Sequence, residues 1–306
     1  MIEFYTLGTS SAVPTSRRDL SANFLNFQGE KMLFDCGEGA QKTIMRQRLG
    51  LMDIDKVFIT HWHADHFSGL LGLVQTMGME GRDRPLYIYG PEGTEEFTQR
   101  LLELGYFDRR YEIFVDDMEP GDRVADDDYE VRAFATDHGV PSVGFVFEED
   151  AKRKASHARM EELGLEPSPK IGRLKDGETV EVDGRTIEPD DVIEEMPGRK
   201  IVYTGDTEYT ESVVKAAADA DLLVHDATFS QELVDEGRYG HTSARQAAEV
   251  AKAAGVERLV LTHFSRRFDT DTQKLVDEAQ EVFGNVEAAD EGQKFEVRPH
   301  RPEGEG

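Results

Sequence analysis

The stretch His61-Trp62-His63-Ala64-Asp65-His66 places three imidazoles and one carboxylate within six residues of the chain. A run typical of a buried strand, Lys56–Thr60, precedes it, and Gly69 with the apolar run Leu70–Val74 follows it. Imidazole nitrogen and carboxylate oxygen are ligands that zinc and similar metals accept. Because the backbone can bend at a strand-to-helix turn, these side chains can point at a common site. The stretch therefore predicts a metal site, with unrelated surface or core histidines as the alternative.

The charge balance of the chain is unusual for a folded protein. Its 306 residues include 62 acidic and 35 basic side chains, which give a formal net charge of −27. The length suits one large domain or two smaller ones, and 38% hydrophobic residues in clear strand and helix periods argue against disorder. A strongly acidic surface suits a protein that stays soluble at very high salt, where charge repulsion is screened. We therefore expect a halophilic source, with an acidic mesophilic protein as the alternative.

Cysteine usage and hydropathy bear on the compartment. Cys36 is the single cysteine, so the chain cannot form an intramolecular disulfide, as suits a reducing cytosol. Residues Met1–Tyr5 are typical of a strand and carry no signal-peptide pattern. No apolar run approaches the roughly 18 residues of a membrane span. We expect a cytoplasmic protein with no membrane association.

Strand and helix periods alternate along the chain, which predicts an α/β protein. Ser243 or Thr242 is the expected N-cap of one helix, and Gly255 its stop. Two stacked sheets covered by helices fit the pattern, as do other α/β layouts. The expected strands are Ile2–Leu7, Phe24–Phe27, Lys31–Phe34, Val57–Thr60, Leu86–Tyr89, Glu112–Val115, Tyr129–Phe134, Ser142–Phe147, Ile201–Thr204, Leu222–Val224, Arg258–Leu261 and Phe295–Arg298. The expected helices are Ala40–Leu49, Ser68–Thr76, Thr94–Leu104, Thr210–Ala217, Ser243–Ala254 and Thr272–Val282.

Residues 150–199 differ from the segments on either side. They lack the alternation seen elsewhere and contain Pro167, Pro169 and Pro189. Between Ala151 and Lys175, seven basic residues stand against three acidic ones, a local charge of +4 that leaves −31 for the rest of the total of −27. A basic island in so acidic a chain indicates contact with a polyanion. A solvated surface helix of mixed charge is the alternative.

Further histidines and aspartates follow the first motif in a fixed order. They occur in Asp137-His138-Gly139, Thr204-Gly205-Asp206-Thr207, His225-Asp226-Ala227-Thr228, His241-Thr242-Ser243 and Leu261-Thr262-His263, and Phe34-Asp35-Cys36-Gly37-Glu38-Gly39 precedes them all. The first motif is the signature of the metallo-β-lactamase superfamily, and the whole order resembles the ribonuclease Z family from Gly8 to about Val297. The resemblance implies an αββα sandwich of the metallo-β-lactamase type with an inserted flexible arm. Residues 1–149 and 200–306 would form the two halves of that domain, and residues 150–199 the arm, a tRNA-binding exosite.

The resemblance also implies a cofactor and an activity. Two Zn²⁺ ions per subunit are expected, with Mn²⁺ or Fe as other possibilities. A carboxylate can bridge two cations about 3.5–4 Å apart, and a water shared between them loses a proton near neutral pH. The implied reaction removes the 3′ trailer of precursor tRNA by a cut after the discriminator nucleotide, which leaves a 3′-hydroxyl on the tRNA and a 5′-phosphate on the trailer. Short relatives in the family are homodimers, so we expect a homodimer. The implied ligands are His61, His63 and His138 for the first metal, Asp65, His66 and His263 for the second, and Asp206 between them.

Three residues are candidates for proton transfer. Asp65 could act as general base with the oxygen that it does not offer to a metal. His241, held in its tautomer by Asp226, could act as general acid for the leaving ribose oxygen. The pair resembles the family's His-Glu-Ala-Thr and His-Ser-Thr motifs, with Asp226 in place of the glutamate and His-Thr-Ser as the second motif. We expect the shorter carboxylate to reach less well, and an exposed histidine at a helix start is the alternative for His241.

Two other functions remain open. One is another hydrolase on the same scaffold, a phosphodiesterase or an enzyme acting on thioesters, lactams or other RNA. The other is a metal-stabilised RNA-binding protein without turnover. The acidic surface should repel RNA at low ionic strength, and high salt weakens both this repulsion and the attraction of lysines for phosphate. Arg17 and Arg18, after the opening loop Gly8–Pro14, could contact phosphates.

Overall fold

The computed structural model of the chain describes residues 1–106, 110–235 and 240–300, so the last six residues of the expected second half lie outside the described part. The strands are β1 (Ile2–Gly8), β2 (Ala22–Phe27), β3 (Glu30–Cys36), β4 (Ile54–Phe58), β5 (Leu86–Gly90), β6 (Ile113–Asp117), β7 (Arg123–Ala125), β8 (Tyr129–Ala135), β9 (Val143–Glu149), β10 (Lys152–Ala155), β11 (Val180–Val182), β12 (Arg185–Ile187), β13 (Ile193–Met196), β14 (Lys200–Tyr203), β15 (Leu222–Asp226), β16 (Leu259–Thr262), β17 (Val286–Ala288) and β18 (Gln293–Val297). The helices are α1 (Ala40–Gln47), α2 (Ala64–Phe67), α3 (Leu70–Met79), α4 (Thr94–Leu102), α5 (His157–Glu162), α6 (Pro169–Lys175), α7 (Pro189–Val192), α8 (Glu211–Ala217), α9 (Gln231–Asp235), α10 (Ala244–Ala254) and α11 (Gln273–Gln280).

Two seven-stranded sheets of mixed direction form the body of the protein. Their strand orders are β18-β1-β2-β3-β4-β5-β6 and β17-β16-β15-β14-β9-β8-β7. In each sheet an antiparallel part continues into parallel strands, β3 to β6 in the first and β14 to β17 in the second. Parallel neighbours need a crossover connection, and helices supply it: α1, α3 and α4 in the first sheet, and α8, α10 and α11 in the second. The two halves of the chain therefore repeat one plan.

The main apolar core lies between the two sheets. Phe34 and Phe58 of the first sheet stack with ring centroids 5.2 Å apart, and Phe145 of the second sheet lies 5.2 Å from Phe58. Aromatic pairs of this kind contribute about 0.5–1.5 kcal/mol each beyond the area that they bury. Separate apolar clusters pack the helices onto the outer face of each sheet. The expected αββα sandwich is confirmed.

Local sequence signals predicted the long elements and their caps well. Each expected strand and helix has a counterpart, and Ser243 caps α10 in a capping box with Gln246. Gly255 ends that helix in the left-handed conformation, with φ of 70°. The three-residue strands β7, β11, β12 and β17 were not predicted, because so few residues show no clear period. No helix in the described ranges is both long enough and apolar enough to cross a membrane.

Residues 150–199, called the inserted segment below, fold as a small unit with their own apolar cluster. Strands β10 and β13 form one antiparallel pair and β11 and β12 another, with α5, α6 and α7 beside them. At its base, Arg199 donates from Nε to Oε2 of the buried Glu149 at 2.6 Å, and Lys152 Nζ lies 2.6 Å from Oε1. This ion pair holds the two ends of the segment side by side. The cluster contains Met160, Leu174, Val180, Ile187, Val192 and Ile193.

Basic residues of this segment lie opposite acidic ones that come later in the chain. In the pairing of β10 with β13, Arg153 is opposite Glu195 and Lys154 is opposite Glu194. Over residues 150–199, nine Lys and Arg stand against thirteen Asp and Glu, so the net charge is −4. The basic island is therefore a property of the first half of the segment, and the fold places carboxylates beside it.

Candidate metal centre

The carboxyl ends of the parallel strands of both sheets meet at one edge of the sandwich. The histidine motif follows β4, Asp206 follows β14, and His263 directly follows β16. His138 comes from the loop between β8 and β9 in the second sheet. Ligands in open α/β folds bind at such carboxyl edges, because loops of several strands converge there. Residues up to 198 positions apart, Asp65 and His263, thereby come within 3.4 Å.

Three imidazoles form a first cluster. His61 Nε2 and His138 Nε2 each lie 3.0 Å from His63 Nδ1. Around a tetrahedral zinc with bonds of about 2.0–2.1 Å, ligand nitrogens would lie about 3.3 Å apart. These two separations are therefore close to what one tetrahedral cation requires, and all three nitrogens lie within 4.8 Å of one another.

Two histidines and two aspartates form a second cluster. His66 Nε2 and His263 Nε2 are 3.3 Å apart, and Asp65 Oδ2 lies 3.4 Å from His263 Nε2 and 3.7 Å from His66 Nε2. One ligand atom from each of Asp65, His66, Asp206 and His263 lies within 4.8 Å of the others. The structure thus brings together all seven residues that the resemblance implied as metal ligands, in two adjacent groups.

The two oxygens of Asp206 face the two clusters. Oδ2 lies 3.6 Å from Nε2 of both His61 and His138, and Oδ1 lies 3.3 Å from His66 Nε2 and 3.2 Å from His263 Nε2. The residue is 3% exposed, and Oδ1 has no hydrogen-bond partner among the described residues. A buried oxygen without a partner costs free energy, which a bound cation would offset. The donor set and this orphaned oxygen fit a pair of divalent metals with Asp206 between them.

The second ring nitrogen of three histidines is held from outside the clusters. When the rings are neutral, as metal ligation requires, such outer partners fix the tautomer, so that Nδ1 carries the proton and Nε2 presents its lone pair to the site. Lone pairs then face carboxylate oxygens, an arrangement that favours a cation between them. The pairs are His66 Nδ1 with Asp35 Oδ2 at 2.7 Å, His138 Nδ1 with the Gly240 carbonyl at 2.6 Å, and His263 Nδ1 with Thr228 Oγ1 at 2.8 Å.

Asp35 has a role that the sequence did not reveal. It is fully buried, adopts a positive φ of 60°, and accepts hydrogen bonds from the Thr60 amide and the Tyr203 hydroxyl, both at 2.7 Å, besides His66. The available signal was an aspartate at the end of a buried strand, immediately before Cys36. Its partners lie 25 to 168 residues away, so the sequence alone could not identify them.

Asp206 is also the electrostatic centre of the site. Burial raises its pKa, but the imidazoles of His263 and His66 outweigh burial and hold the pKa well below its usual range. Burial lowers the pKa of His263, but Asp206 and Asp226 outweigh it and raise that pKa to about 10. Burial, with His66 nearby, lowers the pKa of His61 to about 2. The carboxylate therefore stays ionised and favours positive charge beside it.

Asp226 and His241 form a pair beside the second cluster. Asp226 Oδ2 accepts from His241 Nδ1 at 2.9 Å, while Oδ1 accepts from the Thr228 hydroxyl at 2.6 Å. The expectation that the shorter carboxylate would reach less well is wrong, because Asp226 ends β15 close to the His241 loop. The His241 side chain is 18% exposed, so a substrate can reach it. His225 is fully buried with Nδ1 bonded to the Asp226 carbonyl, and it belongs to none of the candidate ligand groups among the described residues.

The opening loop supports Asp65. Ala12, at a φ of 55°, donates its amide hydrogen to Asp65 Oδ2 at 2.7 Å. Arg18 anchors the start of the loop, with Nη1 donating to Thr9 Oγ1 at 2.6 Å and to the Ala289 carbonyl at 2.9 Å. Arg18 is only 8% exposed, which argues against a phosphate contact by this residue. Burial against the C-terminal part of the sheet gives it a structural role.

Comparisons with known proteins give matches over most of the chain. Residues 2–156 match the family model described as Anti-Pycsar protein Apyc1, and residues 191–264 match the one described as Beta-lactamase superfamily domain. The protein named Ribonuclease Z from Methanosarcina acetivorans is 42% identical over 306 residues, 99% of this chain and 100% of that protein. The one from Halorubrum lacusprofundi is 45% identical over 297 residues, 95% of this chain and 96% of that protein. The crystal structure of human tRNase Z, short form, has a TM-score of 0.70 at 28% identity and covers 97% of this chain and 99% of that chain.

Proposed function

The chain belongs to the ribonuclease Z family and is a hydrolytic endoribonuclease, and we propose that it removes the 3′ trailer of precursor tRNA. The cut follows the discriminator nucleotide and leaves a 3′-hydroxyl on the tRNA and a 5′-phosphate on the trailer. One observation carries this proposal: Asp206 lies buried between two histidine clusters, with the Asp226–His241 pair beside it. A carboxylate between two cations, next to a protonated imidazole, suits phosphodiester hydrolysis.

We propose two divalent cations per subunit, zinc by preference, with manganese or iron as other occupants. His61, His63 and His138 would hold one, Asp65, His66 and His263 the other, and Asp206 both. When bound, the cations would supply charge neutralisation at the scissile phosphate and a water of lowered pKa.

Asp65 is placed to remove a proton from the attacking water. The carboxylate contacts of Asp65 in the described residues all involve Oδ2, which faces Ala12, His66 and His263. Oδ1 is therefore the oxygen available to accept a proton. The side chain is 11% exposed, so it lies where the cluster meets solvent. As the new phosphorus–oxygen bond forms, the water proton passes to this carboxylate.

His241 is placed to protonate the leaving oxygen. Its Nδ1 donates to Asp226, which leaves Nε2 to give a proton to the ribose O3′ as the phosphorus–oxygen bond breaks. Asp226 is fully buried and accepts from Thr228 as well, so it is fixed in place. The reaction balances: one water is consumed, one proton goes to Asp65 and one leaves His241.

The test is cleavage of an end-labelled precursor tRNA by the zinc-loaded protein at high and low KCl. We expect a single cut at the discriminator that disappears in Asp65→Ala. Asp83→Ala changes an exposed aspartate in the α3–β5 loop and should cut like the wild type. Absence of any cut, at any salt and with any of the three metals, would reject the proposal.

A phosphodiesterase of another substrate class is the second candidate. Residues 2–156 match a family model described as Anti-Pycsar protein Apyc1 and not as ribonuclease Z, which supports a substrate class other than precursor tRNA. Hydrolysis of a small chromogenic phosphodiester, with precursor tRNA left intact, would favour it. Tight binding of tRNA without turnover would instead favour an RNA-binding protein.

We also propose a halophilic source, a cytoplasmic location and a homodimer. The net charge of −27 and the likeness to the protein from Halorubrum lacusprofundi support adaptation to high salt. Screening by KCl should relieve repulsion among the carboxylates, so the free energy of unfolding should rise with KCl. Equal stability at low and high KCl would contradict the halophilic assignment. Sedimentation velocity in high KCl would test the dimer.

The assignment of residues 150–199 to a tRNA-binding arm stays a prediction. The segment's own apolar cluster supports an independent unit, and the family membership supports an exosite. Its net charge of −4 and the carboxylates opposite Arg153 and Lys154 weaken the electrostatic argument for it. Binding through this segment would then depend on shape as well as charge.

A further inference from the structure

The two residues after Asp206 connect neighbouring loops of the site. Thr207 Oγ1 accepts a hydrogen bond from the Asp137 amide at 3.1 Å. The Glu208 amide donates to the Asp137 carbonyl at 2.8 Å. The loop that carries His138 is therefore bound on both sides to the segment that carries Asp206.

The side chain of Glu208 reaches across to a second loop. Its Oε1 accepts a hydrogen bond from the Gly240 amide at 2.6 Å, although the two residues are 32 positions apart. The carbonyl of the same Gly240 accepts from His138 Nδ1 at 2.6 Å. The Gly240 amide is thus held by Glu208, and the Gly240 carbonyl orients His138.

Two groups of the site depend on where Gly240 lies. Its carbonyl keeps the proton of His138 on Nδ1, so that Nε2 faces His63 at 3.0 Å. His241 is the next residue in the chain, and its Nδ1 lies 2.9 Å from Asp226 Oδ2. Gly240 has a φ of 77°, and a Cβ there would lie 3.6 Å from His138 Nδ1, so the backbone passes close to the imidazole.

We propose that Glu208 is a positioning residue for the metal centre and for His241. Its carboxylate holds the Gly240 amide, and through it the orientation of His138 and the place of His241. What the role requires is an acceptor oxygen at the reach of a glutamate side chain, not a negative charge. The effect on catalysis rests on the proposed function, whereas the effect on the metal centre does not.

The acceptor and the charge can be separated by substitution. Glu208→Gln keeps an acceptor oxygen at the same reach and removes the charge. Glu208→Asp keeps the charge and shortens the side chain by one methylene, so the bond to Gly240 is lost. Glu208→Ala removes both. Glu211→Ala, an exposed carboxylate in the first turn of α8, is the matched control.

Two readouts are measured on each variant: zinc affinity in competition with a chromogenic chelator, and kcat and KM on precursor tRNA. For Glu208→Ala and Glu208→Asp we expect zinc affinity and kcat to fall by up to about 10–100-fold, the cost of losing an outer partner of a metal ligand, because the Gly240 carbonyl that holds His138 would no longer be fixed. KM should stay unchanged, because the role assigned to Glu208 acts through Gly240 and not through a contact with the RNA. Glu208→Gln and Glu211→Ala should match the wild type in both readouts.

Either of two results would overturn the proposal. One is wild-type zinc affinity and kcat in both Glu208→Asp and Glu208→Ala. The other is a loss in Glu208→Gln as large as that in Glu208→Asp, which would assign the effect to charge. Rescue by Gln distinguishes positioning from a general fold defect, because a misfolded Glu208→Ala would leave the Asp and Gln comparison intact. If the wild type cuts no precursor tRNA, the proposed function fails, and the zinc affinities still decide the role of Glu208.

Discussion

The metal centre and the inserted segment hold their charged side chains in opposite ways. In the centre, Asp206 is buried and its Oδ1 has no hydrogen-bond partner in the described residues, so its charge is available to a cation. In the inserted segment, Arg153 and Lys154 are opposite Glu195 and Glu194 in the strand register, so the fold places negative charge beside them. A cluster of charge close together in sequence therefore predicts binding only where the fold leaves that charge uncompensated.

The centre also differs from the segment in how its residues are supported. Each of His66, His138 and His263 has an outer hydrogen-bond partner at 2.6 to 2.8 Å that comes from a distant part of the chain. Apart from the buried Arg199 at its base, the basic side chains of the segment are more exposed, as in the pair of Arg173 with Glu178 at 2.6 Å. Exposed pairs of that kind contribute little to stability. Substitutions should therefore have large effects at the centre and small ones among the exposed side chains of the segment.

The largest effect is expected for Asp206→Asn. The amide nearly preserves the shape of the side chain but removes the charge between the two clusters. Since the loss of an outer partner alone costs about 10–100-fold, kcat should fall by more than ~100-fold and at least one metal should be lost. Metal content by atomic absorption and single-turnover cleavage would measure both, with Asp83→Asn as the matched control. Full metal content with wild-type kcat would remove Asp206 from the centre.

A smaller loss is expected for Asp226→Asn. An asparagine side chain is uncharged, so it accepts the hydrogen bond from His241 Nδ1 less strongly than the Asp226 carboxylate does. His241 would then be less well oriented as general acid, and kcat should fall by about 10–100-fold. If the two residues act as one unit, Asp226→Asn combined with His241→Ala should be no slower than His241→Ala alone. If the losses of kcat were instead additive in this double-mutant cycle, Asp226 and His241 would act independently.

At the base of the inserted segment the expected effect is on stability. Burial raises the pKa of Glu149, but its hydrogen bonds and charge interactions with Arg199 and Lys152 outweigh burial and lower the pKa from 4.5 to about 2. Glu149→Gln leaves the buried Arg199 without its anion, so the free energy of unfolding should fall by about 3 kcal/mol at neutral pH.

The same variant has a defined pH dependence. A carboxyl whose pKa is depressed by folding stabilises the protein above its unfolded pKa, and this contribution is lost as the pH falls through the folded pKa. The difference in unfolding free energy between wild type and Glu149→Gln should therefore shrink between pH 4.5 and about pH 2. Urea titrations of both proteins across this range would measure it, and a constant difference would contradict the ion-pair account.

The smallest effect on activity is expected for substitutions in β10, the strand of the inserted segment that carries Arg153 and Lys154. Arg153→Ala with Lys154→Ala should raise KM for precursor tRNA only about two- to fivefold, because few phosphate contacts are involved and high salt weakens them. Hydrolysis of a small phosphodiester should be spared. Glu194→Gln with Glu195→Gln should lower KM, since these residues are opposite the two basic ones in the strand register and Glu194 also pairs with Arg159 at 3.1 Å. An unchanged KM in both double variants would argue against any electrostatic role of β10 in RNA binding.

Much of the fold could be predicted from short stretches of the sequence. The strands and helices longer than three residues outside the inserted segment follow from hydrophobic period, apart from the short α2 and α9, and the caps of α10 follow from Ser243 and Gly255. Within the segment, β10 and β13 were missed because each is short and charged, and only their pairing makes them strands. Local period carries little information about elements that depend on a distant partner.

The candidate site divides in the same way. Residues His61 to His66 lie in one short stretch, so their side-chain chemistry and spacing predicted a metal site directly. His138, Asp206 and His263 were identified by resemblance to a family, since each alone is an ordinary polar residue at a strand end. Asp35 was part of a sequence motif, but its role was not predicted.

What the sequence by itself determined is the chemistry of the donors and the order in which they occur. Only the tertiary structure decided which oxygen of Asp206 faces which cluster, that Asp226 reaches His241, and that Glu208 holds Gly240. Those relations depend on distances of 2.6 to 3.6 Å between residues 15 to 145 positions apart. Side-chain type and spacing along the chain set the possible partners, whereas the stacking of the two sheets sets the distances.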